Sequence, residues 1–371
     1  VALGALGSSA VAASAGTGSA DVYVTNSNDT VSSYAIGKGG ALAAGATSTG
    51  VKGGGVPYAM AVSPNGRYAY IVEDRYAKAA GSVAQYTVAG SGALTADRTP
   101  TVAAGVGPIA IAVSPNGRFV YVANEDAGTV SLYTVGAGGA LAAVTADTVR
   151  AGVAPDAIAL SPNGRYLYVA NQYAGKASQD LGGVSQFKVG AGGALTAQRT
   201  PEVVAGGQPD SIAVSPNGRY LYVANFRGSG GVSQYTVGSS GMLTADHAAT
   251  VKAGTAPHAI AVSPSGRYVY VATEDGKGGA RSATGGVSQY TVGASGTLTP
   301  DPTPAVSAGP GAFSLAIAPG GRYVYVVNDS TRGPGAVSQY TVGATGMLKP
   351  DAPATVKGGD LPLAIAVAPG A

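Results

Sequence analysis

Ser215-Pro216-Asn217-Gly218-Arg219-Tyr220-Leu221-Tyr222-Val223-Ala224-Asn225 is the stretch on which the fold turns. Pro216 pre-sets its own φ, and Asn217 and Gly218 tolerate positive φ, so the first residues form a tight turn. The residues from Tyr220 to Ala224 are aromatic and β-branched, which favours a strand. Upstream, Ile212-Ala213-Val214 is a short apolar run without polar alternation, as in a strand buried on both faces. Downstream, Val232-Ser233-Gln234-Tyr235-Thr236-Val237 reads as a third strand. Beyond the polar loop Gly238-Ser239-Ser240-Gly241, a weaker fourth strand is expected through Ala249-Thr250-Val251.

This unit recurs along the chain. The Ser-Pro-Asn-Gly-Arg-aromatic turn stands at residues 63–68, 114–119, 161–166 and 215–220. Variants stand at 263–268 and 318–323, and a truncated Ala368-Pro369-Gly370 lies at the C-terminal end. Its prolines are 47 to 55 residues apart. A second motif, Tyr-Val-x-Asn or a near relative, begins at Tyr23, Tyr70, Tyr121, Tyr168, Tyr222, Tyr270 and Tyr325. Four antiparallel strands in each unit of about 50 residues, repeated seven times, define an all-β, seven-bladed β-propeller. The first repeat opens on a second strand and the last ends on an inner strand near residues 363–367. The C-terminal inner strand is therefore expected to complete the N-terminal blade, closing the ring without an open edge. Residues 21–371 are read as the propeller and residues 1–20 as an apolar Gly/Ala-rich extension.

Composition agrees and narrows the function classes. The 371 residues include 59 Gly, 22 Pro, 21 Tyr, 2 His and no Cys. With 45% hydrophobic residues the chain is not a disordered one. Charged residues are only 11%, and 22 basic against 19 acidic residues leave +3, too little for an electrostatic nucleic-acid binder. Without Cys there is no disulfide or thiolate chemistry, and two His do not make a multi-histidine metal centre. Neither a cofactor nor a metal is expected, nor a membrane span.

Loops between the Tyr-Val-x-Asn motif and the third strand vary in length, whereas the Pro-Asn-Gly turns on the opposite face hardly change. Binding is therefore expected on the variable face. There, the residues after the inter-blade prolines should ring the channel mouth: Tyr58, Ile109, Asp156, Asp210, His258 and Leu363. Tyr58, Asp156 and Asp210, with Glu125 and Arg227, are candidate ligand contacts, and His258 is a candidate general base whose neighbouring carboxylates raise its pKa. The arginines of the turns (Arg67, Arg118, Arg165, Arg219, Arg267, Arg322) recur once per blade and read as architectural, as do the repeated tyrosines. Arg75, Arg227, Arg281 and Arg332 lie off the motif and are better placed for an anionic ligand. His247 reads as a solvated loop residue. Asn26-Ser27-Asn28-Asp29 and Glu274-Asp275-Gly276 read as turns, since their spacing does not match a Ca²⁺ loop.

The Tyr23-Val24-Thr25-Asn26 and Tyr121-Val122-Ala123-Asn124 motifs, with the Ser-Pro-Asn-Gly-Arg turns, resemble the seven-bladed lactonase-like propellers, including the YVTN-repeat surface proteins. The resemblance covers residues 21–371. Pro257-His258 is similar to the Pro-His that precedes an inner strand in that family. It implies catalytic roles for His258 and for Glu274, which stands where the family has an acidic group. Asn124-Glu125 resembles the family's Asn-Glu pair but lies in another blade, and the family's Arg-His pair is missing.

Residues 1–20 carry no charge and end in small residues, like the remnant of a secretory signal. An extended apolar segment could dock on its own disc or add to a neighbouring copy, giving a homo-oligomer or filament. Regular repeats, low charge and this tail favour a secreted or cell-surface scaffold that binds a glycan or small molecule or self-assembles head-to-tail. The alternative is a lactonase or cycloisomerase acting on a sugar-acid or aromatic-acid lactone at the channel mouth. Convergence of His258, Asp156, Asp210 and Glu274 would favour the enzyme, and a mouth blocked by Ile109 and Leu363 the scaffold.

Overall fold

The computed structural model describes residues 21–75, 79–174, 181–228, 230–275, 284–329 and 335–369. The expected extension, residues 1–20, lies outside them, as do Arg281 and Arg332. Seven antiparallel sheets form, six of them running in sequence order from an inner to an outer strand and the seventh taking its inner strand from the C-terminal end. The fourth blade, which contains the stretch quoted above, comprises Gly207–Val214, Tyr220–Arg227, Gly231–Val237 and Leu243–Lys252. Its outer strand is longer than the three residues expected, because Thr236 and Val237 extend the pairing to Thr244 and Leu243. His247 therefore lies in a strand, not a loop. In the second blade the outer strand is split into Leu141–Ala143 and Val149–Arg150, around a short 3-10 turn at Thr145–Asp147.

The ring closes as the sequence predicts. Pro362–Val367 is the inner strand of the blade that continues through Asp21–Asn26, Thr30–Ile36 and Leu42–Gly50. Val24 pairs with Ile365, and the Ala368 amide donates to the Asp21 carbonyl at 2.8 Å. Neighbouring inner strands touch all the way round the axis. The chain is a seven-bladed β-propeller. No helix among the described residues is long and apolar enough to cross a membrane.

The two repeated motifs do separate structural jobs. In each Ser-Pro-Asn-Gly-Arg turn the serine hydroxyl accepts from the amide five residues on, as Ser215 does from Tyr220, while the Asn217 carboxamide oxygen accepts from the Arg219 amide. Gly218 sits at φ +69°, where a side chain would be strained. Arg67, Arg118, Arg219, Arg267 and Arg322 then lie over the adjacent aromatic ring at 5.4 to 6.0 Å.

The motif tyrosines tie each blade to the next. Tyr23, Tyr70, Tyr121, Tyr168, Tyr222, Tyr270 and Tyr325 donate to the carbonyls of Gly92, Gly139, Gly193, Gly241, Gly296, Gly346 and Gly40, at 2.6 to 2.8 Å. These seven bonds form a closed belt, and each ring is fully buried. Their burial adds apolar area to every blade interface, while the hydroxyl keeps its polar tip satisfied. The third-strand glutamines reinforce the belt: Gln186 and Gln234, for example, accept from the amides of Leu243 and Leu298 in the following blade. Between blades, small residues fill the wedge, such as Ala157 and Ala159 against Ile212 and Val223.

Candidate active site

Two rows of residues frame the channel mouth on the variable face. The first arises because the chain enters every inner strand through a β-bulge. Pairing skips the residue after Pro57, Pro108, Pro155, Pro209, Pro257 and Ala312, and the register of the closing blade shifts beside Leu363. A bulge re-aims the extra side chain out of the ladder. Tyr58, Ile109, Asp156, Asp210, His258, Phe313 and Leu363 occupy these positions. In six of the seven blades the residue before the entry is held at positive φ, including the non-glycines Ala154, Gln208, Ala256 and Leu361 at +44° to +52°. The second row is the residue that follows the Tyr-Val-x-Asn motif, among them Glu125, Gln172, Phe226 and Glu274. It is pinned to the first row where the Glu125 amide donates to Gly107 and the Glu274 amide to Ala256.

The first row divides in two. Tyr58, Ile109, Phe313 and Leu363 share one buried hydrophobic cluster, which packs that side of the channel. The other side is polar. His258 Nδ1 lies 3.0 Å from Asp210 Oδ2, and its Nε2 lies 3.3 Å from Glu274 Oε2. His258 is only 4% exposed, and its imidazole stands between the rings of Phe226 and Phe313, at centroid distances of 5.0 and 4.8 Å.

Burial by itself would lower the pKa of such an imidazole. Hydrogen bonds to Asp210 and Glu274, together with their charges, outweigh it and raise His258 to about 9. At neutral pH His258 is therefore an imidazolium with both N–H groups donating. The expected effect of flanking carboxylates on its pKa is present and large. Glu274 keeps its second oxygen, Oε1, buried without a partner among the described residues.

The carboxylate line continues around the ring. Asp156 is wholly buried beside Asp210 with the Gln172 amide facing it, and its oxygens make no close hydrogen bond among the described residues. Half-buried Glu125 is raised to about 7, chiefly by burial and then by the charges of Asp126, Asp74 and Asp210. His258, Asp210, Asp156 and Glu274 thus converge, with Glu125 at the end of the line. Among the described residues no group of three or more such side chains has the geometry to hold a metal.

Other candidates lie apart. Arg227 is exposed at the end of its strand, and Arg75 donates to the Gly53 carbonyl at 2.8 Å. Near the other end of the channel, on the face of the conserved-length turns, is an apolar cavity of 280 Å³ lined by residues such as Met60, Leu160, Ile317 and Ile365 with the turn prolines. It contains no titratable side chain. Phe226, Phe313 and Gln172 were not singled out by sequence. The signal for Phe313 was the bulge, as the equivalent of the residue after Pro257, and that for Phe226 and Gln172 was the position after the Tyr-Val-x-Asn motif, shared with Glu274.

The sequence profile described as Lactonase, 7-bladed beta-propeller matches residues 15–179 and 173–278, so the chain belongs to that family. Solved structures share the fold. A Bacteroides uniformis protein described as a putative 6-phosphogluconolactonase is 20% identical, with a TM-score of 0.76 over 95% of this chain and 100% of that one. A similar protein of Bacteroides fragilis, of the same description, is 21% identical with a TM-score of 0.73, over 95% and 98% of the two chains. The periplasmic gluconolactonase of Pseudomonas aeruginosa is 18% identical, with a TM-score of 0.71 over 94% and 99%. No curated protein matches the chain. Family membership corrects the scaffold expectation: a lactonase propeller with a buried His–carboxylate cluster at its mouth fits the alternative, enzymatic reading better. Repeat regularity and low charge misled because they follow from the blade architecture and carry no information about the mouth.

Proposed function

We propose that this protein hydrolyses the lactone of a sugar acid at the His258 side of the channel mouth. The observation that carries this is the clamping of one buried imidazolium between Asp210 and Glu274, at 3.0 and 3.3 Å, in a member of the lactonase family. Lactone hydrolysis needs a base to take a proton from water as it attacks the carbonyl carbon. It also needs positive charge near the oxygens on which negative charge develops.

Glu274 fits the base. Its Oε2 is held by His258, and Oε1 has no partner among the described residues, which leaves that oxygen to accept from a water molecule. His258 already carries its proton at neutral pH, so its role is not that of the base. It orients Glu274 and supplies the site's positive charge. When the water proton passes to Glu274 Oε1, the new C–O bond forms, the ring C–O bond breaks, and the proton returns to the departing alkoxide. The product is the open hydroxy acid.

A continuous titration of acid release tests this with the δ-lactones of aldonic acids, phosphorylated and unphosphorylated. Hydrolysis above the spontaneous rate by the wild type, strongly reduced in His258→Gln, is the expected result. A wild type that leaves every lactone at its spontaneous rate overturns the proposal.

A further inference from the structure

The hydrolysis just described gives Asp156 no task, yet its surroundings are unusual. Its side chain is 0% exposed, projects from the bulge of the third blade, and lies between Glu125 of the second blade and Asp210 of the fourth. Two carboxylates packed together in a site closed to water cannot both stay ionised cheaply. Asp210 is the better placed of the two to be the anion, because its Oδ2 lies 3.0 Å from His258 Nδ1. An ionised Asp156 would add a second buried negative charge, with only the Gln172 amide facing it and no close hydrogen bond among the described residues.

We propose that Asp156 is a positioning residue: its carboxyl group keeps its proton at neutral pH and donates to Asp210, fixing that carboxylate where it receives the His258 Nδ1–H. The row then reads Asp156 carboxylic acid, Asp210 carboxylate, His258 imidazolium, Glu274 carboxylate. Its net charge is −1, not −2, and the charge not balanced within the row falls on Glu274, the group assigned as base. Sharing of one proton by neighbouring carboxyls is the usual outcome when like charges approach within contact.

The groups facing Asp156 agree with this assignment. Burial first, then the charge of Asp210, its hydrogen bond and the charge of Glu125 hold the Asp156 carboxyl well above the ordinary carboxylate range, and only the Gln172 amide opposes them. Burial leaves the Asp210 carboxyl raised as well, but less far than that of Asp156, because the hydrogen bond and charge of His258 and the bond from Asp156 pull it down. The proton therefore belongs on Asp156. Asp74 and Asp126, which bear on Glu125, add negative charge in the same direction.

The catalytic consequence rests on the lactonase reading, but the proton itself does not, so the test has two arms. In the first, the side-chain carboxyl carbon of Asp156 is observed by ¹³C NMR, assigned from Asp156→Asn. A protonated-acid signal at pH 7 is expected, and a carboxylate signal overturns the proposal whether or not any lactone is hydrolysed. In the second, the ring nitrogens of His258 are titrated, which is tractable because the chain has only two His. Asp156→Asn replaces a neutral donor by a neutral donor and should leave the His258 midpoint within about half a unit. Asp156→Leu removes the donor. It should lower the midpoint by about one unit or more and kcat by about tenfold, with KM little changed. If Asp156→Asn lowers the His258 midpoint as far as Asp156→Leu does, Asp156 is charged in the wild type and the proposal fails.

Discussion

His258 shows how local chemistry converts one side chain into another kind of group. Free in solution, an imidazole is mostly neutral at pH 7, whereas here two carboxylates keep it charged up to about pH 9. That difference has a consequence for stability. The folded state binds the His258 proton more tightly than the unfolded chain does, so the contribution is complete below about pH 6.5 and is lost as pH rises toward 9. A rise of that size corresponds to about 3 kcal/mol. Thermal unfolding followed from pH 6.5 to 9.5 should show a melting temperature that falls across this window. In His258→Gln the fall should flatten, because what remains comes from carboxyls that are also raised, such as Glu125. The pair His258 and Glu274 was readable from residue type and family likeness, and so was the mouth position of Asp156 and Asp210. The division of labour was not. Which nitrogen meets which oxygen depends on side-chain placement across two blades, and sequence spacing does not encode it.

At the scale of the element, the turn motif and the tyrosine strand were legible because each solves a local problem. Proline, asparagine and glycine specify the turn, and alternating aromatic and β-branched residues specify the strand. The entry bulge at Pro257-His258 was harder to read: a proline breaks the ladder, but the extra residue is visible only against its partner strand. The outer strands were also under-read, since Leu243–Lys252 mixes polar and small residues with no alternation that sequence could use. The belt of tyrosine hydroxyls yields a direct expectation. Tyr222→Phe leaves the buried Gly296 carbonyl without its donor while keeping the ring, and should cost about 1–2 kcal/mol in chemical denaturation. Gly296→Ala should cost more. That position has φ +87°, and an added Cβ would fall within the ring of Tyr220. A stability unchanged by both substitutions would show that the belt is decorative.

For the whole molecule, seven blades matter to function because closure holds residues from different blades in register at one rim. Asp156, Asp210 and His258 come from three successive blades, so their distances depend on the ring staying shut. Removing residues 361–371 deletes the closing strand and exposes the edge of Asp21–Asn26, whose six residues are buried in the intact disc. Such a chain should aggregate or unfold at lower temperature, as size-exclusion chromatography and thermal melting would register. The number of blades and the closure were readable from repeat count and from the complementary end fragments. The function was not, since the repeats describe what the blades share and the site is made of what they do not share. The most direct measurement is the hydrolysis rate of an aldonic acid δ-lactone by the intact wild type and by Glu274→Gln, with the fold checked by far-UV circular dichroism. The account predicts turnover by the wild type and a loss of about 10²-fold or more in kcat for a correctly folded Glu274→Gln. Equal turnover by the two proteins would contradict it.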